Sequence, residues 1–190
     1  MQEETAAQHL KVIAWAGNGI AAAQPERLEW KGSHLGASFS PDGKFLITTM
    51  QEPMLHGWRL IDGKHMRMAG YSAKVRALDW THDGDWLATG GSNQLILWPF
   101  TSKEGPMGQA PRILAPMQAL VVAVACHPQQ PIAAVGYSDG LVLMVRIDDG
   151  AEIVVKAPGP APVSALAWNR TGTLLAYGTE AGEAAVVDVS

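Results

Sequence analysis

Four oxygen-bearing side chains recur at matching places along the chain, and their types and spacing suit metal binding. They are Glu52, Asn93, Asp139 and Glu180, each lying between two apolar segments. Carboxylate and amide oxygens are the ligands that hard cations such as calcium prefer. The same residue types also favour β-turns, because their side chains bond the local backbone. We favour the turn interpretation and keep a metal site built from these four residues as the alternative.

No other arrangement of residues indicates catalysis or a cofactor. The histidines, at positions 9, 34, 56, 65, 82 and 127, lack the close pairing that helical zinc motifs use. Gly17-Asn18-Gly19 lacks the third glycine of a dinucleotide-binding loop, and the chain has no Gly-x-Ser-x-Gly nucleophile motif. We therefore expect no enzyme activity, no catalytic residue and no cofactor.

Three further residues with reactive side chains have structural interpretations. His82 and His127 follow apolar segments in turns, where we expect them to face solvent. Cys126 is the single cysteine, so an internal disulfide is excluded. Because Cys126 ends an apolar run, we expect its thiol in the core.

The elements that position these residues repeat about every forty residues. A recurring turn begins at Phe39, Trp80, Cys126 and Trp168, at spacings of 41, 46 and 42 residues. Between these turns apolar residues alternate with period two, which is typical of short antiparallel strands. The best-formed unit predicts four strands, at Val75–Trp80, Trp86–Thr89, Gln94–Phe100 and Arg112–Leu114. An all-β fold of repeated four-stranded sheets follows.

Other segments align with this unit strand by strand. The remaining first strands are predicted at Leu35–Phe39, Val121–Cys126 and Val163–Trp168. The first strands share a column of small residues, which predicts close approach of neighbouring backbones, at Gly36, Ala77, Ala123 and Ala165. Val12–Trp15 and Arg27–Trp30 are predicted as a third and a fourth strand of the same series.

Tryptophans recur at one position of the repeat and predict part of the core. Trp15, Trp58 and Trp98 each close a predicted third strand, and periodic aromatic residues usually face the core. Trp30 and Trp86 fit the repeat less closely. Either of these two could be an exposed anchor of an interface.

These patterns resemble the WD40-repeat family. The stretches most similar to the family are Val163–Trp168 with the turn at Thr171-Gly172, Val75–Asp85, and Ser40–Gly43. The resemblance implies a β-propeller built from blades of four antiparallel strands, and a scaffold role.

Two family signatures are degenerate in this chain. The Trp-Asp pair is replaced by Trp58-Arg59, Trp98-Pro99, Val145-Arg146 and Val187-Asp188. The Gly-His pair survives only as Gly70-Tyr71 and Gly32-Ser33-His34. The resemblance therefore implies that the family's buried Asp-His-Ser/Thr-Trp network is incomplete in every blade.

The predicted boundaries give about four blades. We expect a disordered tail over residues 1–10 and a WD40-like propeller domain over residues 11–190, with blade units at about 11–32, 33–72, 73–118, 119–160 and 161–190. Because the repeat begins and ends in mid-unit and the resemblance implies a ring that most often has seven blades, we expect an incomplete ring, the C-terminal part of a larger propeller. The alternatives are a four-blade ring completed by Arg27–Trp30 and a dimer in which two open fans share one ring. Open blade edges also predict self-association.

Charge and hydropathy exclude several classes of partner. The net charge is −4 with no clustered lysine and arginine, so we expect neither nucleic acid nor a membrane as partner. The N-terminus is polar and acidic, unlike a signal peptide, and the longest apolar run, 119–126, is too short to span a bilayer. We expect a soluble cytoplasmic protein.

The predicted function is that of a non-enzymatic scaffold that binds other proteins or peptides through its rim loops. The candidate partner-binding residues lie before first strands or after second strands: His34, Glu52, Tyr71, Lys74, Asn93, Tyr137 and Asp139. The alternatives are a metal-dependent propeller enzyme or small-ligand binder that uses the oxygen-bearing rim, and a truncated fragment without independent activity. Propellers serve many unrelated functions, so the residues identify neither partner nor pathway.

Overall fold

The computed structural model describes residues 9–12 and 26–190, and all its regular elements are β-strands. The strands are β1 (His9–Val12), β2 (Glu26–Glu29), β3 (His34–Phe39), β4 (Phe45–Met50), β5 (Met54–Arg59), β6 (His65–Ala69), β7 (Leu78–Trp80), β8 (Trp86–Thr89), β9 (Leu95–Pro99), β10 (Arg112–Leu114), β11 (Val121–Cys126), β12 (Ile132–Tyr137), β13 (Val142–Arg146), β14 (Glu152–Lys156), β15 (Val163–Trp168), β16 (Leu174–Thr179) and β17 (Ala184–Asp188). These residues contain no helix that could span a bilayer. The predicted tail, residues 1–10, lies outside the described residues apart from His9 and Leu10, which belong to β1. Trp15 also lies outside the described residues.

The strands form consecutive antiparallel sheets, which we call blades. Blade 1 is β3–β6, blade 2 is β7–β10, blade 3 is β11–β14, and blade 4 has the three strands β15–β17 in the described residues. A separate hairpin pairs β1 with β2. The first strands of blades 2, 3 and 4 pack against one another in sequence. The all-β expectation is confirmed, and the described sheets form an open fan, consistent with an incomplete ring.

Most predicted strands agree closely with the observed ones, and β8, β10, β11 and β15 have the predicted bounds. The first strand of blade 2 differs, because β7 begins at Leu78 and not at Val75. The Ala77 carbonyl still accepts from the Gly90 amide at 2.9 Å, but the next amide, of Gly91, donates to the Val121 carbonyl of blade 3 at 3.0 Å, so the regular ladder does not continue before Ala77. The hairpin strands also begin earlier than predicted, because His9–Val12 pairs with Glu26–Glu29.

The column of small residues coincides with irregular pairing. Register shifts occur between His34 and Gly36, between Val121 and Ala123, and between Val163 and Ala165. A bulge of this kind increases the local twist of a strand. Ala123 lies opposite Gly136 in its own sheet, and a Cβ added to Gly136 would lie 3.2 Å from the Ala123 Cβ, so a larger side chain at this pair would be crowded.

The recurring turns are held by side-chain hydrogen bonds. Ser40 Oγ donates to Asp42 Oδ1 at 2.6 Å, and Thr81 Oγ1 donates to Asp83 Oδ1 at the same distance. Gly43 closes the first of these turns with a φ of 69°, a conformation that favours glycine. The hydroxyl–carboxylate pair holds the first two turns, whereas His127 Nδ1 and the Asn169 side chain take its place in the third and fourth.

Two third strands end in arginine, where the WD40 pattern has aspartate. Each of these arginines forms an ion pair within the turn that follows its strand. Arg59 pairs with Asp62 at 2.6 Å, and Arg146 pairs with Asp149 at 2.9 Å. In each case the aspartate belongs to the Asp-Gly hairpin that leads to the fourth strand. Arg59 also pairs with Glu104 of blade 2, at 2.5 Å, and thereby connects two blades.

The core lies between the blades, in three clusters that separate successive sheets. Trp58 and Trp98 are buried, as predicted, and Trp86 packs half-buried beside the cluster between blades 2 and 3. Cys126 is also in the core, and burial, then the nearby Asp79, raises the pKa of its thiol well above the usual value. Each blade therefore depends on its neighbour to bury its apolar face.

One hydrogen bond recurs wherever two first strands meet. Each donor is the residue at which the recurring turn of its blade begins. Each acceptor lies one position before the corresponding residue of the preceding blade. The pairs are Trp80 Nε1 to Ser38 Oγ at 3.0 Å, the Cys126 amide to Asp79 Oδ2 at 2.7 Å, and Trp168 Nε1 to the Ala125 carbonyl at 3.0 Å. We call this bond the inter-blade contact.

Candidate functional site

A cleft of about 300 Å³ opens between blades 2 and 3, at the rim where loops before first strands meet loops after second strands. Its lining residues are Ala73, Lys74, Arg76, Gly91, Leu120, Val121 and Val122. Lys74 is one of the predicted partner-binding residues. The lining combines two cations with an apolar wall from blade 3.

The segment before β7 positions the two cations. Val75 is fully buried in the cluster between blades 1 and 2, and its neighbours Lys74 and Arg76 are exposed. The amide of Ala73 donates to the Gly91 carbonyl at 2.9 Å, which holds this segment against the end of β8. Burial of Val75 thus directs the flanking side chains into the cleft.

Gly91 gives the cleft its shape because no other residue fits. Its φ is 90°, and an added Cβ would lie 3.1 Å from the carbonyl oxygens of Ala73 and Lys74. A side chain there would be strained and would push the cationic segment away. The glycine therefore permits three backbone segments to meet at the cleft.

The two cations are available to a ligand. In the described part of the chain neither Lys74 nor Arg76 pairs with a carboxylate, whereas Arg59 and Arg146 both do. An exposed guanidinium and an ammonium beside an apolar wall suit a ligand that combines a carboxylate with an apolar group.

The four oxygen-bearing residues have different surroundings. Among the described residues, no three side chains of histidine, cysteine, aspartate or glutamate are grouped so that they could hold an ion. Asp139 accepts from the Leu141 amide at 3.1 Å, which is a contact within its own turn. Asn93 donates instead to the Met117 carbonyl, 24 residues away, at 2.9 Å. Glu180 is exposed, and Glu52 lies beside Gly32.

Tyr71 and Tyr137 do not lie on the rim surface, and this part of the sequence interpretation is wrong. Tyr71 is 7% exposed and Tyr137 is fully buried. The Tyr137 hydroxyl donates to the Ala115 carbonyl at 2.7 Å, and burial raises the pKa of both phenols, that of Tyr71 to about 12. Both rings fill core between blades, a location that a pattern within one strand does not reveal.

His127 requires a similar correction, whereas His82 is exposed as predicted. His127 is 4% exposed, and its Nδ1 accepts from the amides of Gln129 and Gln130 at 3.0 Å. Its Nε2 donates to the Gly172 carbonyl at 3.0 Å. The ring faces blade 4 and not solvent, because the next turn covers it.

Sequence and structure comparisons support a WD40-repeat propeller. A family model for the WD domain, G-beta repeat, matches residues 64–99, which run from β6 of blade 1 to the end of β9 in blade 2. This part of the chain matches a WD40 repeat. No curated protein sequence matches significantly.

Solved β-propeller structures share the fold of this chain at low sequence identity. The β-propeller domain of Cps50 (Swd1) from Myceliophteria thermophila is 18% identical, with a TM-score of 0.66 over 84% of this chain. The chain spans 53% of that domain. The computationally designed Ika4 protein is 17% identical, with a TM-score of 0.67, and the match covers 84% of this chain and 92% of Ika4. In all, 1142 solved chains match, so the fold is too widely shared to identify a partner.

Blade 2, which contains most of the matched repeat, has part of the buried network that the resemblance to WD40 repeats implies. Trp98 Nε1 donates to the Tyr71 hydroxyl at 2.6 Å, and that hydroxyl lies 2.8 Å from Thr89 Oγ1. Thr89 in turn donates to the Ile96 carbonyl at 2.9 Å. Tyrosine occupies the place that the resemblance gives to histidine, so Tyr71 is a structural residue and not a partner contact.

Removing the Tyr71 hydroxyl is expected to destabilise the protein by about 1–3 kcal/mol, because a buried Trp98 N–H loses its acceptor. The variant is Tyr71→Phe, and urea unfolding at pH 7 measures the loss. Tyr177→Phe is the matched control, since Tyr177 is half-buried and its hydroxyl has no hydrogen bond to the described residues. Equal losses in the two variants would contradict the network.

Arg76 is the cleft residue that sequence reasoning missed. Strict alternation over the predicted strand Val75–Trp80 puts Arg76, Leu78 and Trp80 on one face of the strand and Val75 on the other face. In the structure Val75, Leu78 and Trp80 all pack with the cluster between blades 1 and 2. The chain is irregular before Leu78, which shifts the alternation by one residue and frees Arg76. The small residue Ala77 in the bulge column was the available signal.

Proposed function

We propose that this WD40 propeller is a non-enzymatic scaffold that binds a segment of a partner protein in the cleft between blades 2 and 3. WD40 propellers are generally protein-interaction scaffolds. The observation that carries the proposal is the pair of unpaired cations, Lys74 and Arg76, beside the apolar residues Leu120, Val121 and Val122. The matching partner segment has a carboxylate next to an aliphatic side chain.

The size of the cleft favours a peptide over a cofactor. Pockets for small molecules range from about 300 to 1,000 Å³, and this cleft of about 300 Å³ is at the lower limit. It accommodates one or two side chains while the rest of a partner lies on the rim. Since exposed ion pairs contribute only about 0–1 kcal/mol each, the cations select and orient the segment, and the apolar wall adds binding energy.

A displayed library of random peptides tests the proposal. Peptides selected by the protein are expected to be enriched in Asp or Glu next to Leu, Ile or Val. The double variant Lys74→Glu/Arg76→Glu is expected to bind these peptides about tenfold more weakly or worse, a loss of about 1.4 kcal/mol or more. Binding should also weaken with added salt.

The matched control is Lys103→Glu/Arg170→Glu, which makes the same change of net charge at exposed residues outside the cleft lining. This control is expected to bind like the unmodified protein. Selected peptides without acidic residues, or an equal loss in both double variants, would contradict the cleft as the binding site.

A further inference from the structure

His56 on β5 is a fully buried titratable residue that the proposed function does not use. Within the described part of the chain, neither of its ring nitrogens has a hydrogen-bond partner. Trp30, which follows β2, stacks on the His56 ring with centroids 3.8 Å apart and planes at 17°. Trp58 meets the same ring edge-on, with centroids 4.5 Å apart. His56 thus lies between two indole rings and is uncharged.

The strand register places His56 on the side of blade 1 that faces away from blade 2. Its neighbours across the sheet are Thr48 on β4 and Arg67 on β6. In the adjacent row, Leu46 and Trp58 lie opposite each other, and each is 2% exposed. This side of the blade is therefore buried over β4 and β5, and Trp30 lies against it.

The titratable and charged groups around His56 come from each element packed against it. They are Arg67 and His65 on β6, His34 on β3, Glu52 in the turn between β4 and β5, and Glu29 and Lys31 on either side of Trp30. His65 stacks on His56 with ring centroids 5.5 Å apart. The charges that act on His56 are those of His65, His34 and Arg67, whereas Glu52 acts on His34. A proton on His56 would therefore be surrounded by basic groups.

The segment that carries Trp30 is fixed at one end only. We call residues 30–33, which join β2 to β3, the latch. The Ser33 carbonyl accepts from the Gln51 amide at 3.0 Å, which holds this end of the latch at the turn between β4 and β5. Gly32 has a φ of 125°, and a Cβ added there would overlap the Met50 side chain. Because glycine changes its backbone angles most freely, Gly32 is a suitable hinge between Ser33 and Trp30.

A charge on His56 favours movement of the latch over unfolding of blade 1. A buried imidazolium without a hydrogen-bond partner is unfavourable because the charge loses its hydration. Attraction between the cation and the indole face opposes movement of Trp30, but it is much weaker than that loss. His56 is held in the ladder between β4 and β6, whereas Trp30 lies outside the strands. Movement of Trp30 admits water to His56 without breaking a strand pair.

We propose that the latch is an acid-sensitive switch, in which proton uptake by His56 releases Trp30 and uncovers this side of blade 1 while the sheets stay folded. The release is reversible, because it breaks ring contacts and no covalent bond. It creates a surface that is open in acid and closed at neutral pH. The switch is independent of the proposed partner cleft.

The direction of the pH dependence follows from the two states of the latch. With the latch closed, the pKa of His56 is lowered to about 3, mainly by burial, whereas an exposed histidine titrates near its usual value of 6.5. The open state therefore binds a proton more readily than the closed state. The closed latch is fully favoured above pH 6.5 and loses this preference as pH falls toward 3.

Fluorine NMR of the protein labelled with 5-fluorotryptophan tests the switch. The Trp30 resonance is assigned by its absence from the variant Trp30→Phe. On titration from pH 8 to pH 4, about half or more of this signal is expected to move to the position of solvent-exposed 5-fluorotryptophan. The moved signal is expected to broaden on addition of a soluble gadolinium chelate. The resonances of Trp80 and Trp98, which pack in blade 2, are expected to stay in place and show that the sheets remain folded.

Two variants separate His56 from other groups that titrate in this range. His56→Phe cannot take up a proton and is expected to keep Trp30 covered at pH 4. His82→Gln, which removes an exposed histidine of blade 2, is expected to release Trp30 like the unmodified protein. Circular dichroism at pH 8 verifies that His56→Phe is folded, and His56→Leu replaces it if it is not.

Three results would overturn the proposal. The first is a Trp30 resonance that stays protected from the chelate at pH 4 in the unmodified protein. The second is a change of the Trp80 and Trp98 resonances together with that of Trp30, which would indicate unfolding of the sheets. The third is release of Trp30 in His56→Phe at the same pH as in the unmodified protein.

Discussion

Alanine at Gly90 or Gly136 is expected to destabilise the protein by about 2–3 kcal/mol, because each glycine lies where two blades meet without space for a Cβ. At Gly90 an added Cβ would be 2.7 Å from the Val121 carbonyl oxygen. At Gly136 it would be 2.6 Å from Val163 Cγ1. The Val121 carbonyl belongs to the backbone and cannot rotate away as a side chain can. Gly90→Ala is therefore expected to lower the free energy of unfolding more than Gly136→Ala does. Urea unfolding measures both losses.

Gly178→Ala is the matched control, since Gly178 has the same strand position and a Cβ added there would meet nothing closer than 3.6 Å. The change in unfolding free energy is expected to stay within about 0.5 kcal/mol. An equal loss at all three glycines would locate the effect in the strand itself and not in the neighbouring blade.

Acidification is expected to lower the free energy of unfolding because His56 is buried without a charge. The variant His56→Phe should lack this part of the pH dependence. His56 is fully buried, and neither ring nitrogen has a hydrogen-bond partner. Burial first, then the charges of His65, His34 and Arg67, lowers the pKa of His56 from 6.5 to about 3. Between pH 6.5 and 3 the unfolded chain therefore takes up a proton that the folded chain does not bind.

The sign of the effect follows from this difference in bound protons. The stabilisation is complete above pH 6.5 and is lost as pH falls toward 3, at up to about 1.4 kcal/mol per pH unit. The pKa of His34 is also lowered by burial, so His34 contributes in the same direction. Other groups with lowered pKa, such as Asp42 at about 2, titrate at lower pH.

Urea unfolding at several pH values between 7 and 4 measures this effect. The free energy of unfolding of His56→Phe is expected to rise relative to that of the unmodified protein as pH falls. The phenyl ring can still stack on Trp30, so the packing at this position is kept. His82→Gln, which removes an exposed histidine, is the control and should leave the profile unchanged. Parallel profiles for His56→Phe and the unmodified protein would contradict the burial of an uncharged His56.

The candidate site was only partly predictable. Lys74 was identified from its place before a first strand, and it does line the cleft. Tyr71 and Tyr137 were placed on the rim by the same reasoning, yet both are buried. Position within one blade does not reveal whether the neighbouring blade covers a side chain. Arg76 was missed because an irregular segment shifts the alternation before Leu78.

The local architecture could be read from the amino-acid sequence. The forty-residue period, the recurring turns and the alternation of apolar residues predicted nearly every strand, because strands and turns depend on residues close along the chain. Packing between blades fixed which face of each blade is buried and which cations of the described residues remain without a carboxylate partner. Those properties arise from contacts about forty residues apart, where one blade meets the next, and no local pattern encodes them.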